Sequence, residues 1–225
     1  MCFSAEASFG ASAVLGVIGT VAIAKAKTPA RRLFATIPLV FAVQQFSEGM
    51  LWLSLHDSGL AAWESFLTYT FLVFAMAVWP LWIPLTIRLL EKDPRRKKPM
   101  NALIVMGAAV AIGVCCVLFI YPVHVMPMHH HLHYRFDFPP ATKNIILPFS
   151  ILYILATILT PFISSIKKMK WLGIIFLASY LFAIIFYQGF VVSVWCFFAA
   201  LLSFVVLWIV WDKKSERPEV RKTDD

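Results

Sequence analysis

Gln44, Glu48, Trp52 and His56 recur at four-residue intervals within an otherwise apolar stretch. On a helix this spacing keeps the four side chains near one face, with a drift of about 40° per step. An ionised group at mid-span costs about 3 kcal/mol on insertion scales, so Glu48 should face a cavity, pair with a donor or be protonated. Such a carboxylate suits ligand binding, proton carriage or general-base chemistry, and a plain hydrogen bond to a neighbouring helix accounts for it equally well. Cys2 is a second chemical candidate. If Met1 is removed, an amine and a thiol share one residue, which would be a competent nucleophile or chelator. Glu6 is a third, as a base, although Ser4 as N-cap and the helix dipole already favour a carboxylate in a first helical turn.

The run YPVHVMPMHHHLHYRFDFPP carries five of the six histidines. From His131 onward it alternates: His131, His133, Arg135 and Asp137 would share one face of a strand, and Leu132, Tyr134, Phe136 and Phe138 the other. With Val123 to Met126 as partner strand this predicts a hairpin lid whose aromatic face rests on helix ends. His124, His129, His130, His131 and His133, with the thioethers of Met126 and Met128, make a nitrogen and sulfur donor set that would take zinc or copper. A solvated surface and a protonation sensor near the ordinary histidine range are the competing readings.

These residues need elements to hold them, and the composition says which kind. Of 225 residues 60% are hydrophobic and 14% charged, which excludes a water-soluble globular domain. Seven stretches are near the roughly 20 residues that a bilayer core needs: 5–24, 33–55, 63–90, 101–121, 144–165, 171–187 and 190–211. The expected fold is therefore an all-α membrane protein of seven transmembrane helices over residues 1–212, with an outer His-rich loop at 122–143 and a charged cytoplasmic tail at 213–225. Gln188 and Gly189 would turn the last two helices into a hairpin.

Eighteen of the 20 Lys and Arg residues fall on one side of these stretches, leaving Arg135 and Lys143 on the other. The positive-inside rule then puts the amino terminus outside and the carboxyl terminus inside. Tryptophans fit interfacial belts, with Trp52, Trp63 and Trp195 toward the outer ends and Trp79, Trp82, Trp171, Trp208 and Trp211 toward the inner ones. The net charge of +8 is explained by orientation and attraction to anionic membrane lipids, and calls for no nucleic acid. No cleavable leader is expected, since Glu6 stands where a positive leading region would be. Ser12, Gly16 and Thr20 predict a close helix contact. Ser150, Tyr153, Thr157, Thr160 and Ser164 predict cross-helix hydroxyl bonds, and Pro80, Pro84, Pro148 and Pro161 predict kinks. Cys115 and Cys116 read as small buried packing groups. No span has a histidine at its middle, which argues against a haem clamped by helix histidines. The last helix has no lysine for a retinal Schiff base.

The opening MCFSA, the segment QQFSEGMLW and the segment SVWCFFAA together resemble an uncharacterised family of short bacterial multi-pass membrane proteins that begin Met-Cys-Phe-Ser-Ala. The resemblance spans the chain and implies Cys2, Glu6, Gln45, Glu48, Trp195 and Cys196 as the characteristic set, without implying an activity. Three functions follow as expectations. The first is binding or transfer of a small molecule, lipid or ion in an outward-facing cavity of the cell membrane, lined by Gln44, Gln45, Glu48, Trp52, Trp195 and Cys196. The second is an extracytoplasmic enzyme with a metal on the histidine loop or Cys2 as nucleophile, and the third is a structural or assembly subunit.

Overall fold

The computed structural model describes residues 4–128, 131–139, 143–187 and 190–211, without the side chains of 143–145, 193 and 196–201. Cys2, His129, His130, the Gln188–Gly189 reversal and the tail lie outside the described residues, as does the Cys196 side chain. The chain is mostly helical: α1 (Ala5–Lys25), α2 (Pro29–Ala35), α3 (Ile37–His56), α4 (Glu64–Leu72), α5 (Trp79–Leu90), α6 (Pro94–Ile120), α7 (Lys143–Ile154), α8 (Thr160–Ile163), α9 (Met169–Phe186) and α10 (Val191–Trp211). A short 3₁₀ turn, α4, a π segment (Val73–Val78) and α5 run on as one rod, Ala61–Leu90, and a second π segment (Leu155–Leu159) joins α7 to α8. Among the described residues, five helical rods are long and apolar enough to cross a membrane: α1, Ala61–Leu90, α6, Ile146–Ile163 and α9.

Local chemistry sets the helix ends. Ser4 accepts from the Ala7 amide and caps α1, with Glu6 in its first turn. Asp93 accepts from the Arg95 amide, and Pro94 supplies a φ already suited to a first helical position. Helix α6 therefore begins seven residues before the apolar stretch at 101, because charged residues can be helical while still in water. Thr28 caps a separate α2, so the expected second span divides at Thr36.

Both π segments precede a proline. In the π register the carbonyls of Ala75 and Ala156 would receive the amides of residues 80 and 161, which as prolines have none. Each carbonyl is met by a hydroxyl instead: Tyr153 Oη donates to Ala75 O at 2.8 Å, and Thr160 Oγ1 to Ala156 O at 2.7 Å. Pro84 likewise deprives the Pro80 carbonyl of its helical donor. That oxygen lies against Gly107 of α6, where a Cβ would overlap it, a close approach of the kind small residues permit.

Helices α1 and α3 pack antiparallel, with Ser12 Oγ donating to Ala42 O at 2.8 Å. The seam is Ser8, Leu15, Ile18, Gly19 and Ala22, all buried, and Gly19 abuts Leu39. Gly16 has open space around it and Thr20 bonds its own helix. Of the expected four-residue stripe only Ser12 bonds across, because each four-residue step drifts away from a straight seam and alternation of three and four holds it. The largest core joins α1, α2, α3, α5, α6, the second π segment, α9 and α10, with Phe34, Phe41, Ile83, Ile87, Met100 and Leu202 almost wholly buried.

The hairpin forms, from β1 (Val123–Met128) and β2 (His131–Phe136), antiparallel with Val123 opposite Phe136 and Met128 opposite His131. Its apolar face seats Val125 and Leu132 against Leu51, Trp52 and Leu67, and Tyr134 stacks on Phe71 at 5.3 Å.

Candidate functional site

The polar row of α3 is interior. Gln44, Gln45 and Glu48 have no exposed surface and Trp52 has 6%. Gln45 Nε2 donates to Glu48 Oε2 at 3.2 Å, and Trp79 Nε1 donates to Gln44 Oε1 at 2.8 Å while its ring stacks on Phe41 at 3.8 Å. Trp79 is thus a core anchor rather than an interfacial residue. His56, at the end of the row, is exposed and bonds the Trp52 carbonyl at 2.8 Å. Gln44 Nε2 and Gln45 Oε1 are buried without a partner among the described residues. A carboxylate with two amides, sealed from solvent, is a site for holding a proton or a polar group, and also a lock between α3 and α5.

A cavity of about 380 Å³ lies elsewhere, among the first π segment, α6, α7, α9 and α10. Ala75, Val114, Phe149, Tyr153, Tyr180 and Trp195 are in its wall, with Phe136 and Phe138 of the hairpin segment. Its wall is nearly all carbon. Tyr153 gives its proton to Ala75 O, Ser150 to Ile146 O at 2.9 Å, and Trp195 Nε1 to Ser179 Oγ at 3.1 Å. These lining donors are therefore already used inside the protein.

Of the residues expected to line one pocket, α3 brings Gln44, Gln45, Glu48 and Trp52 together. Trp195 lines the apolar cavity, with its ring against Tyr153 and Tyr180. The Ser and Thr face of the fifth apolar stretch divides as well. Tyr153 and Ser164 bond across to other elements, whereas Ser150 and Thr160 bond their own helix. Cys115 and Cys116 are exposed free thiols on α6, which corrects the expectation that they are buried packing groups: Cys116 and Phe119 face outward from a helix only part of whose surface meets neighbours.

Among the described residues, the histidines do not form one cluster. His124 Nε2 meets Asp137 Oδ2 at 3.1 Å, with Arg135 Nε at 3.5 Å from Oδ1 of the same carboxylate. His131 is 8% exposed and packs on Phe190 and Tyr187, with ring centroids 4.7 and 5.4 Å away. Among the described residues no three His, Cys, Asp or Glu side chains converge on a metal position.

Glu91, just beyond α5, is a buried carboxylate that the sequence reading passed over. Its Oε1 accepts from the amides of Lys92 and Asp93 and the Ser165 hydroxyl, and its Oε2 from the Ser165 amide and the Ser164 hydroxyl. Burial pushes the carboxyl up, but the Ser165 hydroxyl and amide with the Asp93 and Lys92 amides outweigh it and hold it below its ordinary value. The result is a saturated clamp between the α5–α6 and α8–α9 connections. Its only sequence signal is a lone Glu after a helix and a Ser-Ser pair after another.

No curated protein and no solved structure matches the chain. The model of a family of unknown function, DUF6629, matches residues 1–223, and the chain belongs to that family.

Proposed function

We propose that the chain is a seven-helix protein of the cell membrane, with its amino terminus outside and its carboxyl terminus cytoplasmic, that binds a small apolar molecule or a lipid chain. The compartment would be the cavity lined by Phe136, Phe138, Tyr153 and Trp195. The observation that carries this reading is its wall: about 380 Å³ bounded by carbon, with the donors of Ser150, Tyr153 and Trp195 already bonded within the protein. A hydrated ligand would lose water there and gain no partners, whereas an apolar one gains burial. The volume falls within the roughly 300–1,000 Å³ typical of ligand pockets. The Tyr180 hydroxyl, in the same wall, is left to meet a polar end. Glu48, Gln44 and Gln45 then serve as the polar lock beside this compartment, because they are packed to zero exposure while Trp195 borders open space.

The orientation is supported by the charge asymmetry and by lysines over tryptophans at the basic end, Lys168 at 4.1 Å from the Trp208 ring and Lys25 at 5.2 Å from Trp211. Labelling of a cysteine placed at Arg135 by an impermeant reagent on intact cells tests it, and protection of that cysteine until lysis would reverse the orientation. Ligand binding is tested by native mass spectrometry of the purified protein. A bound mass should be retained by the parent and by Val105→Trp on the exposed face of α6, and lost in Val114→Trp, which fills the cavity. A mass that persists in Val114→Trp, or a parent that carries none, would overturn the reading.

A further inference from the structure

We propose that the tip of the hairpin is a soft-metal site that takes one Cu(I), held by Met126, Met128, His131 and His133. The strand register carries the inference. Met126 lies directly opposite His133, and Met128 directly opposite His131. Directly opposed residues of an antiparallel pair share a face, and residues two apart on a strand return to it. Two successive same-face rungs therefore each present one thioether and one imidazole. Their Cβ atoms form a rectangle about 5 Å across the strands and about 7 Å along them. Methionine and histidine side chains are long enough to reach a common point over such a rectangle.

The opposite face is excluded from this role, since it carries Val125, Leu132 and Tyr134 and is committed to packing on α3 and α4. The donor set also selects the metal. Two thioethers and two imidazoles with no carboxylate or thiolate favour a soft monovalent ion over zinc, calcium or magnesium. His124 does not belong to the set because Asp137 holds it.

The surroundings suit such an ion. Phe190 lies 4.7 Å from the His131 ring and 6.1 Å from the His133 ring, with Tyr187 at 5.4 Å from His131, so aromatic rings cover one side. Met126 and Met128 are 37% and 42% exposed, which leaves the sulfur side open for entry. His133 Nδ1 is buried with no hydrogen-bond partner among the described residues. This proposal is independent of the apolar cavity, which neither methionine lines.

The test is a titration of the purified full chain, without a histidine tag, with Cu(I) under anaerobic reducing conditions against a chromogenic Cu(I) chelator. X-ray absorption at the copper edge reads the ligand shell. The parent should bind one Cu(I) per chain with sulfur in the shell. Met126→Leu with Met128→Leu should weaken Cu(I) binding by at least about 100-fold, given that even outer-shell changes cost 10- to 100-fold. These swaps keep side-chain volume at exposed positions, and an unchanged elution profile and melting temperature confirm the fold. His129→Ala with His130→Ala should leave the Cu(I) affinity unchanged. A shell without sulfur, or affinity lost with His129 and His130 but kept in the methionine variant, would reduce the site to adventitious histidine binding and overturn the proposal.

Discussion

Replacing Glu91 with glutamine removes one charge from a carboxylate that is 2% exposed and accepts five hydrogen bonds. The amide can be placed two ways. With its oxygen toward Lys92, Asp93 and the Ser165 hydroxyl, its NH₂ faces the Ser165 amide and the Ser164 hydroxyl. The hydroxyl can turn and accept, but the Ser165 amide, now 2.6 Å from an oxygen, cannot. With the amide reversed, two backbone donors are orphaned, so the first arrangement prevails. One buried unsatisfied amide costs about 2 kcal/mol, and loss of charge assistance adds to it. For a chain of this size that corresponds to a melting temperature about 4–8 °C lower, read by thermal unfolding in detergent. The pH dependence makes the assay specific. The folded-state carboxyl sits below its ordinary value of 4.5, so on acidification the unfolded chain takes up the proton first. Ionised Glu91 therefore stabilises the fold fully above that range, and the contribution fades as pH falls through the depressed value. The gap between parent and Glu91→Gln should be constant near neutrality and narrow in acid. A melting shift below about 1 °C, or a gap that does not change on acidification, would refute the clamp.

Two further substitutions probe the helix contacts. Gly107→Ala puts a Cβ onto the Pro80 carbonyl, so α5 and α6 must separate, and thermal unfolding should show a loss of about 1–3 kcal/mol, whereas Gly16→Ala, in open space, should be tolerated. Tyr153→Phe leaves the Ala75 carbonyl without the hydroxyl that replaces the missing Pro80 amide, which should cost about 1 kcal/mol in the same assay and change the cavity wall by a single atom.

The helical rods were legible because length and apolarity leave few alternatives, and the hairpin because strict alternation after His131 permits only one pairing of faces. The proline effects were legible as kinks but not as π segments, since only the structure shows which hydroxyls meet the stranded carbonyls. The Glu48 row was visible as a pattern, while its bond to Trp79 joins residues 35 apart and leaves no local trace. Trp195 was grouped with Glu48 because both lie toward the same end of their helices. Depth along a helix says nothing of the azimuth, and α10 turns that ring toward Tyr153 and Tyr180. Glu91 escaped notice because a single acidic residue in a basic loop resembles solvated surface, and its serines stand 73 and 74 positions away. The cavity has no signature in sequence at all. It is what remains when the first π segment and the hairpin segment fail to fill the space between α6, α7, α9 and α10.

Photolabelling in membranes with a lipid that carries a diazirine in its acyl chain, followed by peptide mapping, tests the central claim most directly. The account predicts crosslinks at Val114, Tyr153 and Trp195 that an excess of unlabelled lipid suppresses, and that Val114→Trp abolishes. Labelling confined to the exposed face of α6 at Val105, Ile112 and Phe119, with none at the cavity wall, would contradict it.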